Sequence, residues 1–210
     1  MNNKAILYGA IGFLGGALLM VVFFSNAVNN NNAGIMRMMG VRSLSGGSLA
    51  TSSQIDAHFI EQMIPHHEDA ITMAQIALTK AEHQEIKTLA SDIVKAQSEE
   101  ITQMKGWYKS WFGKDVPDVN SMMGHSMGTM MHGGMMGNST DMATLENATP
   151  FDKEFIEQMI PHHQMAVMMG QMLLNSTNRP EMKQLAQNII EAQTKEINQM
   201  REWHQLWYGN

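Results

Sequence analysis

The fold is decided by residues 58–78, which read HFIEQMIPHHEDAITMAQIAL and return at residues 154–174 as EFIEQMIPHHQMAVMMGQMLL. Residues 56–113 align with residues 152–209 at a constant offset of 96 without a gap, and 28 of the 58 positions are identical. The sequence therefore contains an internal duplication. Two copies are too few for a solenoid, so we expect a paired unit.

Each copy has the pattern of two amphipathic helices. In the first helix of the first copy, Phe59, Met63, His66, Ala70 and Met73 follow at spacings of three and four, which place them on one helical stripe. The second helix carries a similar stripe and ends at a glycine, as helices often do. Two hairpins of helices of roughly 25 residues bury their stripes against each other, which predicts an all-α four-helix bundle.

The repeats predict the domain boundaries. We expect a first hairpin at residues 53–113 and a second at residues 149–210, joined by a crossover loop at residues 114–148. Ser53-x-x-Asp56 and Thr149-x-x-Asp152 have the pattern of capping boxes, with Pro150 at the favoured first helical position.

The N-terminal segment has the pattern of a membrane signal. Residues 5–24 are 20 consecutive residues without a charge, long enough to span a bilayer, and Lys4 precedes them. We expect residues 1–27 to be an uncleaved anchor in the inner or plasma membrane, or a signal peptide cleaved after Ala27. The rest of the chain would then face the periplasm or extracytoplasmic space, with residues 28–52 as a flexible linker.

Composition excludes several classes of function. The formal net charge of −6 argues against binding of nucleic acid, and the lack of Cys excludes disulfides, thiolate metal sites and Cys nucleophiles. The chain has 23 Met and nine His. Many thioethers and imidazoles without a thiol indicate soft-metal chemistry.

Met-Ile-Pro-His-His is the first candidate metal site. If the motif lies on one helix, its Met and its first His can share a face with the Met that follows seven residues after that His. Met can simply fill a core, but an adjacent His pair beside a helix-interrupting Pro, present twice, favours metal ligation. The candidate ligands are Met63, His66, His67, Met73, Met159, His162, His163 and Met169.

A second constellation lies on the second helix of each hairpin. Gln97, Glu100 and Met104 recur as Gln193, Glu196 and Met200, on or beside the apolar face. A carboxylate there needs a partner, and a His of the facing helix is the natural one. The Glu and Gln can orient a ligating imidazole, ligate directly, or form a structural hydrogen bond. The four Trp residues at the helix ends are expected to pack.

The crossover loop is the third candidate site. A Gly-rich loop has little core for Met to fill, and thioethers select Cu(I) among biological metals, with Ag(I) as a chemical mimic. Its candidate ligands are Met122, Met123, His125, Met127, Met130, Met131, His132, Met135 and Met136.

The two copies differ after the His pair. The first copy has Asp69, and with His58 it would suit Cu(II) better. The second copy has a thioether stripe without a competing carboxylate, which we expect Cu(I) to prefer together with the loop. That stripe consists of Met165, Met168, Met169 and Met172.

These motifs resemble those of a known family. The pattern Asp-x-x-Phe-x-x-x-Met-Ile-Pro-His-His-x-x-Ala-x-x-Met, then Gln-x-x-Glu-Ile-x-x-Met-x-x-Trp, runs over residues 56–107 and 152–203. It resembles a bacterial domain family of unknown function that includes the CopM-type periplasmic copper-binding proteins. The resemblance implies a ferritin-like four-helix bundle, export, and binding of Cu(I) and Ag(I) through Met and His in copper resistance.

Three functions compete at this point. The first is an extracytoplasmic protein that sequesters copper or hands it over, with a copper exporter or chaperone as partner. The second is a ferritin-like metal-dependent oxidase of the cuprous oxidase type, although no Glu-x-x-His with both residues facing inward supports a di-metal site. The third is an anchored helical interaction module without a metal. We expect the first, and no enzyme.

Overall fold

The computed structural model describes residues 51–117 and 141–209, which belong to one compact unit. These two ranges contain five α-helices and no strand. In chain order the helices are α1 (Ser52–Lys80), α2 (Gln84–Phe112), α3 (Met142–Asn147), α4 (Phe151–Ser176) and α5 (Pro180–Tyr208).

The four long helices form two hairpins. Helix α1 packs along α2 and α4 packs along α5, and each hairpin closes through a three-residue turn at 81–83 or 177–179. Helices α1 and α4 also pack against each other, which joins the hairpins into one helical bundle. Both helices run through their internal prolines, Pro65 and Pro161.

The buried side chains form two core clusters, and all four long helices contribute to each. The first core cluster combines the C-terminal half of α1 with the N-terminal half of α4, and includes Met73, Met159 and Met200. The second core cluster combines the N-terminal half of α1 with the C-terminal half of α4, and includes Met63, Met104 and Met169. Helices α1 and α4 are therefore antiparallel.

The predicted capping boxes are wrong. Helix α1 is capped by Thr51, whose side chain accepts from the Gln54 N–H while the Gln54 side chain accepts from the Thr51 N–H. Helix α4 has Pro150 at its N-cap and no side-chain cap. Local spacing suggested that Asp56 and Asp152 serve their own helices, but both carboxylates are buried and bind the opposite hairpin instead.

Asp152 binds the turn that precedes α2 in the first hairpin. Its carboxylate accepts the backbone N–H groups of Glu82 and His83, the latter at 2.8 Å, and the His83 Nδ1 lies 2.6 Å from it. The His83 ring stacks on Trp207 with centroids 3.7 Å apart. These contacts satisfy backbone donors of the turn before the helix and tie the two hairpins together.

The other end of the bundle uses the equivalent residues with one exchange. Arg179 stands where the first hairpin has His83, and its Nε lies 3.2 Å from a carboxylate oxygen of Asp56. The Arg179 guanidinium lies over the Trp111 ring, 4.1 Å from the centroid. Trp111, which was expected only to pack, therefore also holds a cation in place.

Asp152→Asn is expected to destabilise the bundle by about 2 kcal/mol, because the amide loses the charge that strengthens its hydrogen bonds to the turn before α2. Urea denaturation measures the change. Asp115→Asn is the control, since Asp115 is 86% exposed and its ion-pair partner is the exposed Lys109 of its own hairpin; we expect this variant to stay within about 0.5 kcal/mol of the unchanged stability. Equal effects of the two substitutions would contradict the role of Asp152 in joining the hairpins.

A short helix lies inside the region that was predicted as a loop. Helix α3 begins after Asp141, whose side chain accepts from the Thr144 N–H, and it buries Leu145 in the first core cluster. The predicted membrane segment, linker and Met-rich part of the crossover loop lie outside the described residues. Among the helices of residues 51–117 and 141–209, none is long and apolar enough to cross a membrane.

Candidate metal centre

Four imidazoles meet where α1 crosses α4. The His66 and His162 rings have centroids 3.8 Å apart and planes 39° apart. Each lies beside its sequence neighbour, with 6.4 Å between the centroids of His66 and His67 and 6.2 Å between those of His162 and His163. Because the helices are antiparallel, the two copies of the His pair face each other at the middle of the bundle.

The outer imidazoles are held by carboxylates of the neighbouring helix. The Nε2 of His67 lies 2.6 Å from the Glu100 carboxylate, and the Nε2 of His163 lies 2.6 Å from that of Glu196. Both imidazoles are fully buried, whereas the carboxylates are partly exposed. A carboxylate on one ring nitrogen fixes the ring orientation and leaves Nδ1 facing the interior. Neither Nδ1 has a hydrogen-bond partner.

The inner imidazoles lack hydrogen-bond partners on buried nitrogens. These atoms are Nδ1 of His66 and both nitrogens of His162. Burial lowers the pKa of His162 to about 3, with a further contribution from the neighbouring imidazoles His163 and His67. Burial and the same kind of repulsion also hold the pKa of His66 well below its usual value. Both rings are therefore neutral at pH 7, and each has a lone pair available for a metal.

Thioethers lie one helical turn from these imidazoles on both sides. Met63 comes four residues before His67 and Met104 four residues after Glu100, so the His67–Glu100 contact places the two Met residues at one level of the hairpin. The second hairpin repeats this with Met159 and Met200 around the contact of His163 with Glu196. The two Met pairs belong to different core clusters, and all four residues are fully buried.

The structure does not bring Met63 and Met73 to one ion. They share a helix, as the spacing predicts, but ten residues correspond to about 15 Å along the axis. Met73 belongs to the first core cluster with Met159 and Met200 of the other hairpin, and Met169 belongs to the second with Met63 and Met104. Each cluster therefore combines a thioether pair of one hairpin with a thioether of the other hairpin.

Other predicted residues are placed less centrally. Gln97 and Gln193 are buried, and their Oε1 atoms have no partner. On α4, Met169 is buried, Met165 and Met172 are partly buried, and Met168 is 37% exposed. The loop candidates Met122 to Met136 lie outside the described residues.

Harder donors do not cluster in the described part of the chain. Within residues 51–117 and 141–209, no three or more His, Asp or Glu side chains are grouped so that they could hold a metal ion. The described bundle thus offers no carboxylate-rich di-metal site of the type that a ferritin-like oxidase uses. A set of three or more donors here would include thioether sulfurs.

Comparison with known proteins identifies the family. The family model described as "Domain of unknown function (DUF305)" matches residues 56–204. The chain belongs to the DUF305 family. Another DUF305 protein, a fragment from Deinococcus radiodurans, has a crystal structure that is 27% identical with a TM-score of 0.59 and covers 73% of this chain and 97% of its own.

Structures of a protein named CopM are more similar in sequence. Its Cu(I)-bound form is 48% identical with a TM-score of 0.63, and the match covers 73% of this chain and 98% of that one. Its Cu(II)-bound form is 52% identical with a TM-score of 0.65, and the match covers 73% and 97%. CopM has also been solved bound to silver.

A curated relative matches a shorter segment. The uncharacterized protein L153 of Acanthamoeba polyphaga mimivirus is 49% identical over 49 residues, which is 23% of this chain. The match spans only about a third of that relative's length, 32%.

Proposed function

We propose that this DUF305 protein binds soft metal ions, Cu(I) and its mimic Ag(I), at the middle of its bundle. The observation that carries the proposal is the pair of inner imidazoles, His66 and His162. Both are neutral, have buried nitrogens without partners, and lie between two pairs of buried thioethers. An unpaired buried polar group costs about 1–3 kcal/mol, which a bound metal would offset.

The donor chemistry selects the ion. Thioethers favour Cu(I) and Ag(I) and need no deprotonation, whereas imidazole also accepts Cu(II). Met63 and Met104 would serve one ion and Met159 and Met200 another, each with an inner imidazole. Met169 and Met73 lie farther from the centre in the same two clusters. Glu100 and Glu196 would orient the outer imidazoles. The Cu(I), Cu(II) and silver complexes of CopM support this proposal.

The cellular role follows from residues outside the described bundle. We propose that the chain is extracytoplasmic, held by residues 5–24 as a membrane anchor or released by cleavage after Ala27. There it sequesters copper or transfers it to an exporter or chaperone. The loop ligands Met122 to His132, with Met135 and Met136, would add soft sites to those of a ferritin-like bundle.

Met63→Leu with Met104→Leu is expected to remove at least one tightly bound Cu(I). Leucine has a similar volume, so the core should remain packed while two sulfurs are lost. The measurement is an anaerobic Cu(I) titration of the full chain in detergent micelles against a competing Cu(I) chelator. The unchanged chain should bind several ions, and replacement of the loop Met and His residues should leave the bundle ions in place.

Met182→Leu is the matched control. Met182 is fully buried in the second core cluster but lies near the start of α5, about 20 Å along the helix from Glu196. This substitution should leave the Cu(I) stoichiometry unchanged. If the unchanged chain failed to compete for Cu(I), the proposal would be wrong and the metal-free interaction module would remain. Catalytic consumption of oxygen with Cu(I) would instead favour the oxidase.

A further inference from the structure

One face of α4 carries an exposed stripe of thioethers. Met165, Met168 and Met172 follow at spacings of three and four, so they are neighbours on the helix surface. Met168 is 37% exposed, and Met165 and Met172 are partly buried against the second core cluster. We call these three residues the α4 stripe. Met168 therefore faces solvent between two partly buried neighbours of the same stripe.

The bundle does not need methionine at these positions. The equivalent residues of α1 are Asp69, Thr72 and Ile76, which occupy the same face in the other hairpin. A carboxylate, a hydroxyl and a branched aliphatic side chain are thus all compatible with this fold. An exposed Met is also a site of oxidative damage. Packing alone therefore does not account for three Met residues on α4.

The surroundings of the stripe favour a soft cation over a hard one. Residues 158–178, which include most of α4, contain no Asp, Glu, Lys or Arg. The equivalent segment of the first hairpin, residues 62–82, contains Glu68, Asp69, Lys80 and Glu82. Without a carboxylate on its own helix segment, the stripe has only uncharged sulfurs to offer a cation, and sulfur selects monovalent copper or silver.

The stripe reaches the level of the buried thioethers. His66 and His162 stack where the antiparallel helices cross, so Met63, three residues before His66, lies level with Met165, three residues after His162. Met104 lies at that level too, by its register across the hairpin. Met165 thus brings a further thioether to the level of Met63 and Met104 in the second core cluster. At the first core cluster the equivalent position is Asp69.

We propose that the α4 stripe is the surface site that captures a monovalent soft cation and passes it into the second core cluster. This inference rests on the proposed function. The ion moves by ligand exchange from Met168 and Met172 through Met165 to Met63 and Met104. It remains bound to sulfur throughout, and no proton is released because thioethers are uncharged. The first core cluster has Asp69, Thr72 and Ile76 at the equivalent positions and fills more slowly.

The test follows Ag(I) uptake by the full chain in detergent micelles. Methyl-labelled methionine reports each residue by NMR after Ag(I) is supplied from a weak chelator. In the unchanged chain, the Met63 and Met104 signals should shift before those of Met159 and Met200. Replacing Met168 and Met172 with leucine should slow the first shift about tenfold, while the final occupancy of the buried sites stays the same.

A gain-of-function variant tests whether the leucine variant takes up Ag(I) slowly only because it folds poorly. Thr72→Met with Ile76→Met gives the first hairpin two stripe residues, and it should speed the shifts of Met159 and Met200. Equal uptake rates in the unchanged chain and the leucine variant would overturn the inference, and so would silver that binds the stripe without reaching Met63. If no buried Met signal shifts in the unchanged chain, the proposed function itself fails.

Discussion

His162→Leu is expected to stabilise the metal-free bundle and to weaken its binding of Ag(I). Both ring nitrogens of His162 are buried without a partner, so removing them relieves a cost of about 1–3 kcal/mol. The same change removes one of the two inner imidazoles, so we expect the affinity for Ag(I) to fall about tenfold to a hundredfold. Urea denaturation of the metal-free protein and Ag(I) competition titration measure the two effects.

His163→Leu is the matched control on the same helix. His163 is also fully buried, but its Nε2 is paired with Glu196 at 2.6 Å. Its removal leaves a partly buried carboxylate without its partner, so this variant should be less stable than the unchanged protein. If His162→Leu lost stability and kept its Ag(I) affinity, His162 would be a packing residue and the proposed site would be wrong.

Changes of opposite sign in the stability of these two variants would distinguish a residue kept for function from one kept for packing. Residues selected only for stability rarely leave polar atoms unpaired in a core, since such atoms cost free energy. The inner imidazoles break that rule where the two hairpins meet. Each outer imidazole has a partner on one of its two nitrogens, the carboxylate of Glu100 or that of Glu196. The imidazole nitrogens without partners therefore lie together where the hairpins meet, as a binding site for a soft metal requires.

Helical periodicity predicted the hairpins, because the spacing of Phe59, Met63 and His66 depends only on the 3.6-residue turn. The partition of Met63 and Met73 into different clusters could not be predicted in this way. It depends on the antiparallel crossing of α1 and α4, and one helix carries no information about the direction of its neighbour. The contact across one hairpin could be predicted more easily, since a carboxylate on or beside the apolar face of its helix, such as that of Glu100, requires a nearby partner.

The ends of the bundle show the same limit. Ser53-x-x-Asp56 and Thr149-x-x-Asp152 have a local pattern that indicates a cap on their own helix. In the folded protein, Asp152 instead accepts hydrogen bonds from the turn before α2. The equivalence of His83 with Arg179 at the offset of 96 was a usable signal, because both side chains can donate a hydrogen bond to a carboxylate. Their contacts, however, join elements that are distant in sequence.

The metal-free protein is expected to lose stability as the pH falls from about 6.5 towards about 3. Burial lowers the pKa of both His66 and His162, and that of His162 to about 3. In the unfolded chain each titrates near 6.5, so below that pH the unfolded state binds protons that the folded state excludes. Each group contributes up to about 1.4 kcal/mol per pH unit. Urea denaturation at pH 7.5, 6.0 and 5.0 should show a fall of about 2–4 kcal/mol.

His162→Leu tests whether the inner imidazoles cause this loss. With one of the two groups gone, the dependence of stability on pH between 6.5 and 5.0 should be about half as steep. Saturation with Ag(I) should also protect against acid, because an ion that binds only the folded state stabilises it and occupies the nitrogen that a proton would take. Constant stability from pH 7.5 to 5.0 would show that the inner imidazoles take up protons in the fold, and hence that they are not the neutral, unpartnered ligands that a soft metal site requires.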